Sequence, residues 1–576
     1  MEIERSQGKR IKIILCTIAI RSNPDTFPPV ACTSLCNILI MHGYNPVLYD
    51  IDVKRPSEKE LFEYFEKAQP DIVGISAVVS TGYAYTKRLS SIIKKASSTT
   101  QIILGGNLAA AYEVILRKCQ IDLCVIGEGE KVLLNLIKHY EKYFYLLPVN
   151  DELDKIKGIA FLNSRGICRF TGFEEQISSD EIQEPDYELL NRFSDINHYI
   201  RTPIMKYDFG YDQRSKETHR QGKKMATIFT AKGCINRCSF CHRWIKGYRV
   251  ISIEKILVTM KHLIDKYNVG FFCITDECFG ENKEWLEKFI EAIKPLDILF
   301  QVGGARVSIV KRDPSVIRRL KAVGMTGIYF GMESGSEKIL NIMEKNANRY
   351  ENLMAAKLCA DVDVFTVIQL VIGMPGENEQ TINETIAFIK EATGDLPYPP
   401  ILSVNYLQAL PGTPSYEYLR KHGFLGKSIN DEEQYLLKIS DINAVEFKQY
   451  INVSEEPLSK VKLWQRKIYN EARTHWLKKH AWKLPVEDNS SNLEYLNSSF
   501  ISRVRFFLRK KLIYYRMIDL FGNVFWKIFQ ISYLYSLYDY KKAVRIMLGI
   551  VSEENRSSFK CQAVPLRKIV SNLKTS

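Results

Sequence analysis

Cys234, Cys238 and Cys241 fall within the ten residues KGCINRCSFC, 232–241. Thiols this close together, in a chain without a repeating disulfide spacing, point to metal or redox chemistry. A structural zinc site closes around four ligands. CxxxCxxC offers three, and the next residue, His242, sits in the same tight loop, where adjacent side chains seldom aim at one ion. A cubane iron-sulfur cluster has four irons, normally held by four cysteines. Three cysteines leave one iron open to a substrate or cofactor. On spacing alone zinc, a cluster and unrelated buried thiols all stay open.

The elements that must position these thiols read as a strand-helix series. Strands are expected at 226–230, 271–275, 298–302, 327–331, 365–372 and 402–408, with amphipathic helices such as SIEKILVTMKHLIDKY and DPSVIRRLKAVG between them. Six βα units make three quarters of a barrel, whose functional face lies at the strand ends. CxxxCxxC follows the first strand. The second strand ends in CITDECF, the third leads to GGARV, the fourth ends in GMESGS and the fifth in VIGMPGE.

With an aromatic residue, Phe240, before the last cysteine, this pattern resembles the signature of the radical S-adenosylmethionine (SAM) superfamily over about residues 221–430. The resemblance implies a [4Fe-4S] cluster on Cys234, Cys238 and Cys241, whose open iron takes the amino and carboxylate groups of SAM. By position it places Asp276 and Glu277 near the amino group, Glu333 and Ser334 near the ribose or carboxylate, and Arg306 near a carboxylate. It also sets Gly373, Pro375 and Gly376 where backbone approaches the adenine, with Phe240 flanking it. The family's usual Gly-Gly-Glu amino-group motif is absent, and TDE stands on the same strand end. No catalytic residue is assigned beyond the cluster ligands. The implied chemistry is reductive cleavage of SAM to a 5′-deoxyadenosyl radical, which needs the reducing end of the potentials such clusters span and a dry barrel mouth.

Residues 1–150 alternate short apolar strands (IKIILCTIAI, NPVLYDID, DIVGISAVVS, QIILGG, DLCVIGEGE) with helices such as ACTSLCNILIMHG, which stops at Gly43, and TKRLSSIIKKA. This predicts a doubly wound, Rossmann-like parallel sheet with ligands beyond its carboxyl ends. HGYNPVLYDID, PDIVGISAVVS, ILGGNLAAAYEVIL and DLCVIGEGE resemble, in order and spacing, the cobalamin-binding domain that precedes the barrel in one radical-SAM class. On that resemblance Ser76, Thr81, Gly105, Gly106, Gly127 and Glu128 line the cofactor. The Asp-x-His-x-x-Gly motif that supplies a cobalt ligand is missing, so cobalamin is expected base-off, with His42 only a helix-end residue. The related methylthiotransferases carry three further cysteines for a second cluster. Here Cys16, Cys32 and Cys36 lack the matching spacing and read as core thiols.

The expected organisation is α/β throughout: a B12-binding-like domain at 1–150, a linker at 151–221, a partial (β/α)6 barrel at 222–430 and a helical region at 431–576. The linker holds a hairpin pattern, GIAFLNSRGICRF, and a polar run, YDQRSKETHRQGKK, that reads as a connector able to cover a site. At 576 residues, 46% hydrophobic and 25% charged, the chain is an ordinary globular one. No apolar run is long enough to span a bilayer, so the expected location is cytoplasmic, with peripheral contact at the inner membrane surface as an option. Residues 460–576 hold 23 Lys+Arg against 8 Asp+Glu and four of the six tryptophans. That basic, aromatic stretch fits a helical cap on the barrel, a membrane-surface helix or, least well, an RNA-binding face.

The leading reading is a cobalamin-dependent radical SAM enzyme that methylates an unactivated carbon or a phosphinate phosphorus. Its substrate would be a small or lipid-linked molecule, and its electron donor a flavodoxin or ferredoxin. A cyclase or rearrangement enzyme built from the same parts is the alternative. From another class, a zinc-stabilised RNA- or membrane-binding protein also accommodates three clustered thiols.

Overall fold

The computed structural model describes residues 11–147, 151–204, 209–242, 247–441 and 446–480. Its first sheet grows from the apolar run at the start of the chain. Strand β1 (Ile13–Cys16) is buried along its whole length and pairs in parallel with β2 (Val47–Tyr49) and β3 (Ile72–Ser76). β4 (Gln101–Gly105) and β5 (Leu123–Val125) continue the parallel ladder, giving the order β2-β1-β3-β4-β5. Burial on both faces explains strands of continuous Ile, Leu and Val rather than alternating ones. The helix Val30–Met41 ends just before Gly43, whose φ of +83° stops it as the sequence suggests.

The expected hairpin forms as β6 (Ile159–Leu162) and β7 (Cys168–Phe170), closed by Asn163, whose carboxamide oxygen accepts the N–H groups of Arg165 and Ile167 at 3.0 and 2.9 Å. It is no free connector, because β6 pairs antiparallel with β5 and extends the first sheet. The polar run 211–224 also takes a place other than the one expected. Arg214 donates to the carbonyls of Lys321 and Met325 at 2.7 and 2.8 Å, and Arg220 donates to the carbonyl of Asp297 at 2.7 Å. These contacts lie where barrel strands begin, so the run closes the end opposite the strand-end motifs. Phe209 packs there against Met225, Phe271 and Leu299.

The second sheet is entirely parallel, in the order β15-β14-β13-β12-β11-β8: β8 (Lys224–Ile228), β11 (Val269–Ile274), β12 (Leu299–Ala305), β13 (Met325–Glu333), β14 (Phe365–Ile372) and β15 (Ile401–Tyr406). Successive strands sit side by side, which is the open barrel the strand-helix rhythm predicts. Between β8 and β11 the chain makes a ribbon of β9 (Ala231–Cys234) and antiparallel β10 (Gly247–Val250), in which Cys234 faces Gly247. The thiol loop is therefore the tip of a two-stranded ribbon, not a bare strand-to-helix turn.

Beyond the barrel, the helix Ile429–Ile439 begins in a capping box between Ser428 and Asp431. It reaches back to the first domain, where the Tyr83 hydroxyl donates to Glu433 at 2.7 Å and Lys87 pairs with the same carboxylate. The helix Leu458–His480 covers the open edge of the barrel. Trp464 is fully buried and donates to Glu379 at 2.8 Å, and Trp476 donates to the Leu396 carbonyl at 2.8 Å. Tyr469 exchanges hydrogen bonds with Val404 and Leu402, both on β15. The first part of the basic, aromatic stretch thus caps the barrel by covering an edge strand. The remainder of that stretch lies outside the described residues. Among those residues no helix is long and apolar enough to cross a membrane.

Candidate functional site

Parallel strands of both sheets end on one cavity of about 550 Å³. Its first wall comes from the carboxyl ends of β1, β3, β4 and β5 and includes Ser76, Gly105, Gly106, Gly127 and Glu128. Its second wall comes from the barrel and includes Ala231, Lys232, Thr275 and Glu277. Five of the six residues assigned to cobalamin therefore meet at this cavity, whereas Thr81, in the turn before the helix Tyr83–Ala96, does not line it. Gly105 shows why the wall needs glycine: a Cβ there would meet nothing within 4 Å and would project into open space. At Gly106, with φ +86°, a Cβ would stand 2.4 Å from the Ala77 carbonyl oxygen. His42 is exposed at its helix end with Nδ1 2.9 Å from the Ile38 carbonyl, away from the cavity.

Glu128 lines the cavity but is already engaged. It pairs with Arg249 on β10, accepts the Ile177 N–H at 3.0 Å, and lies 3.6 Å from Lys232 on β9, which in turn reaches Glu130 at 2.8 Å. These ion pairs tie the cysteine ribbon to the first domain.

Three thiols stand at the ribbon tip. Cys234 accepts the Asn236 N–H at 3.4 Å, and the Asn236 carboxamide bridges the Cys238 sulfur at 3.0 Å and the Lys345 carbonyl at 2.7 Å. A hydrogen bond from Cys278, helped by the Asn236 N–H and the Arg306 charge, holds the Cys234 thiol below its ordinary range despite burial. Burial pushes the Cys238 thiol up. Cys241 is accessible yet closely surrounded, and that crowding pushes it up to about 11. Accessible but crowded groups mark a concave surface, and Glu277, raised by the same cause, is another. Burial also drives His242 down to about 4, so its ring is neutral.

Among the described residues no three His, Cys, Asp or Glu side chains converge as ligands of a single metal ion.

Of the strand-end residues assigned to SAM, Glu277 alone lines the cavity, and the others stand in different states. Asp276 is fully buried and staples β11 to the end of β8, accepting the N–H groups of Thr230 at 2.7 Å and Ala231 at 3.3 Å; burial lifts it to about 6. Glu277, its neighbour, faces the cavity instead. Glu333, at φ +63°, pairs with the buried Lys345 at 2.9 Å, and Ser334 bonds Thr385 at 3.1 Å. Burial alone would lower Lys345, but Glu333 and Cys238 raise it above the ordinary lysine value. Arg306 donates to the carbonyls of Lys345 and Asn346 at 3.0 and 3.3 Å, and its buried Nε has no partner. A buried donor left open next to thiols, together with the unpartnered Thr275 hydroxyl on the cavity wall, fits an anionic ligand bound at the tip.

Gly373 holds φ +84°, and a Cβ there would collide with the Tyr450 ring at 2.6 Å; the Tyr450 hydroxyl donates to the Gly373 carbonyl at 2.9 Å. Pro375 and Gly376 complete that turn, which the buried Glu377 carboxyl braces through the Gly373 and Met374 N–H groups. Phe240 packs, half-buried, against the main core. Cys278, Asn236, Lys345 and Tyr450 are absent from the sequence assignment. Cys278 stood in plain view in CITDECF, but the other three reach the tip only through folding. Cys16, Cys32 and Cys36 are buried, and burial raises all three thiols, as expected of core residues.

Comparison with known proteins agrees with this layout. Residues 17–137 match the B12 binding domain and residues 228–389 match the Radical SAM superfamily. An anaerobic magnesium-protoporphyrin IX monomethyl ester cyclase from Cereibacter sphaeroides is 27% identical over 62% of this chain, which spans only 56% of that relative. The cobalamin-dependent SAM radical enzyme OxsB, solved with aqua-cobalamin and SAM, superposes with a TM-score of 0.59 at 17% identity, covering 94% of this chain and 78% of OxsB. The radical SAM methyltransferase TsrM from Kitasatospora setae, solved with cobalamin and a [4Fe-4S] cluster, gives a TM-score of 0.54 at 17% identity over 72% of this chain and 79% of TsrM. At such identities the two structures share a fold with this protein. The chain thus carries a B12 binding domain at 17–137 ahead of a Radical SAM superfamily domain at 228–389.

Proposed function

We propose that this protein is a cobalamin-dependent radical SAM enzyme and that it methylates an unactivated carbon or a phosphinate phosphorus of a small-molecule substrate. The observation that carries the reading is the convergence of the cysteine ribbon and the glycine-ended strands of the first sheet on one cavity. When bound, a [4Fe-4S] cluster supplies single electrons to SAM, and cobalamin supplies a transferable methyl group.

The chain's own residues then have separable tasks. Cys234, Cys238 and Cys241 hold the cluster, and Asn236 fixes the loop between the first two. Arg306 and Thr275 offer open donors to the carboxylate and polar groups of SAM, and Glu277 offers an acceptor to its amino group. Gly105 and Gly106 keep the opposite wall free of side chains for a large flat ring. The Lys232–Glu130 and Arg249–Glu128 pairs hold the two walls at a fixed separation. A one-electron donor such as a flavodoxin or ferredoxin completes the system.

Similarity to the cyclase favours a second reading, in which the same residues serve a cyclisation or rearrangement. Anaerobically purified protein is expected to carry about four irons per chain and to retain added corrinoid. Reduction with SAM should release 5′-deoxyadenosine, and Cys234→Ala should bring that release to background. Unchanged release from the variant would overturn the role given to the triad. Methyl transfer from labelled SAM into product separates methylation from cyclisation.

A further inference from the structure

The proposed reaction consumes electrons, and a protein that delivers them must approach from outside the cavity, whose interior holds the reacting groups. The thiol loop offers the shortest way in. Ile235 and Arg237 each adjoin a ligand cysteine in sequence, and both are exposed, Ile235 by 50%. The loop is fastened to two neighbouring segments. Ser239 donates its N–H to the Met343 carbonyl at 2.8 Å and its hydroxyl to the Ile342 carbonyl at 3.1 Å, and the Ser415 N–H donates to the Ser239 carbonyl at 2.9 Å. Those segments, the helices Glu337–Ile342 and Pro414–Lys421, present Ile342 and Tyr418, which are 36% and 38% exposed. Single exposed apolar residues are ordinary, but several around one loop, rimmed by charge, mark a contact surface.

The charge on this surface has a definite sign. From Ala231 to Val250 the ribbon carries five Lys or Arg and no Asp or Glu. Lys232 and Arg249 are held by Glu130 and Glu128 of the first domain. Arg237 makes no ion pair or hydrogen bond among the described residues. Acids on the neighbouring segments are engaged: Glu337 accepts the Arg349 N–H at 2.8 Å, Glu455 pairs with Lys338 at 3.1 Å, and Glu344 has a partner too. A basic rim complements an acidic partner. It repels the chain's own residues 481–576, which carry 16 Lys+Arg against 7 Asp+Glu. Electron-transfer encounters use the smallest protein interfaces, so a patch of this kind suffices.

We propose that the outer face of the thiol loop, Ile235 and Arg237 flanked by Ile342 and Tyr418, is the docking surface for an acidic one-electron carrier protein. One electron leaves the reduced carrier and enters the cluster; no bond is made or broken in that step. The inference rests on the cluster reading above.

The test compares two reductants of the reconstituted full-length protein in the presence of SAM: a reduced acidic carrier, flavodoxin or ferredoxin, and dithionite, which needs no docking surface. Release of 5′-deoxyadenosine is followed against carrier concentration. Ile235→Asp and Arg237→Glu should each raise the carrier concentration for half-maximal release about tenfold, while the dithionite-driven rate stays within about twofold of the unmodified protein. Arg237→Lys keeps the charge and should leave the carrier requirement unchanged. Ile342→Gln lies outside the thiol loop and should raise the requirement about threefold, which keeps the test decisive if the loop variants load iron poorly. An unchanged carrier requirement in Ile235→Asp, Arg237→Glu and Ile342→Gln overturns the inference, as does an equal loss with both reductants at full iron content. So does an unmodified protein that dithionite reduces and neither carrier does. If the unmodified protein releases no 5′-deoxyadenosine with any reductant, the cluster reading itself fails and takes this inference with it.

Discussion

The two walls of the cavity are both made from the carboxyl ends of parallel strands, yet they differ in how much of each is left open by glycine. On the barrel side the wall is directional: Lys232, Thr275 and Glu277 face the space, and behind them Arg306, Lys345 and Glu333 form a buried charged layer. On the first-domain side glycine clears part of the wall: Gly105, Gly106, Gly127 and Gly129 line it beside Ile18, Ile20 and the exposed Val78, with Ser76, Asp50, Asp52 and Glu128 at other points. A small charged ligand that must be gripped in one pose needs donors and acceptors at fixed points. A large flat ligand first needs room and apolar contact. The difference between the walls matches the difference between SAM and a corrin.

Cutting the tie between the walls should have the largest effect. Arg249→Ala leaves Glu128, whose side chain is 5% exposed, without its main partner. Breaking a buried pair from one side costs about 3–5 kcal/mol, read as a drop in the urea midpoint. A loss under about 1 kcal/mol would mean that shape alone holds the walls together. The glycine wall gives the next test through two adjacent residues. Gly106→Ala forces a side chain into φ +86° and onto the Ala77 carbonyl, and should cost about 2–4 kcal/mol. Gly105→Ala meets nothing, so stability should change by less than about 1 kcal/mol while retained corrinoid falls. If Gly105→Ala keeps its corrinoid, the open space is not where the ring lies.

The same contrast explains what could be read in advance. Reactive side chains stand out in a sequence, so the triad, the TDE strand end and Arg306 could be singled out in advance by the family resemblance and their place after successive strands. β14 came out at the expected residues, and the other barrel strands were displaced by a few positions at most, because apolar runs set the ladder whatever its exact register. Space made by missing side chains has no such mark: nothing in the sequence separates Gly105, which opens onto the cavity, from Gly106, which relieves a clash. Thr81, assigned alongside these glycines, does not line the cavity. Long-range partners were hidden as well. Lys345 and Asn236 meet at the tip because loops more than a hundred residues apart fold together, and Tyr450 reaches Gly373 from beyond the barrel. The hairpin at 159–170 was visible as a hairpin, but its pairing with β5 depends on which edge of the first sheet is left open.

The smallest effect asks whether the barrel side is shaped by charge or by neutral hydrogen bonds. Glu377 is fully buried; one carboxyl oxygen accepts the Gly373 and Met374 N–H groups, and the other has no partner. Burial lifts it to about 7, against the two N–H bonds that pull the other way. In the folded protein the carboxyl therefore keeps its proton up to about pH 7, while in the unfolded chain it loses it above about 4.5. Folding takes up a proton between those values, so the stability this group contributes is complete below about 4.5 and declines as pH rises through about 7. Glu377→Gln preserves the acceptor and removes the titration. The gap between variant and unmodified protein should thus move in the variant's favour by about 2–3 kcal/mol from pH 5 to pH 8, measured by urea unfolding at each pH. Parallel profiles would mean that the carboxylate is already ionised where it sits, and that the turn under Tyr450 is held by charge. That outcome would make the barrel wall electrostatic down to its backbone, and would widen its difference from the glycine wall across the cavity.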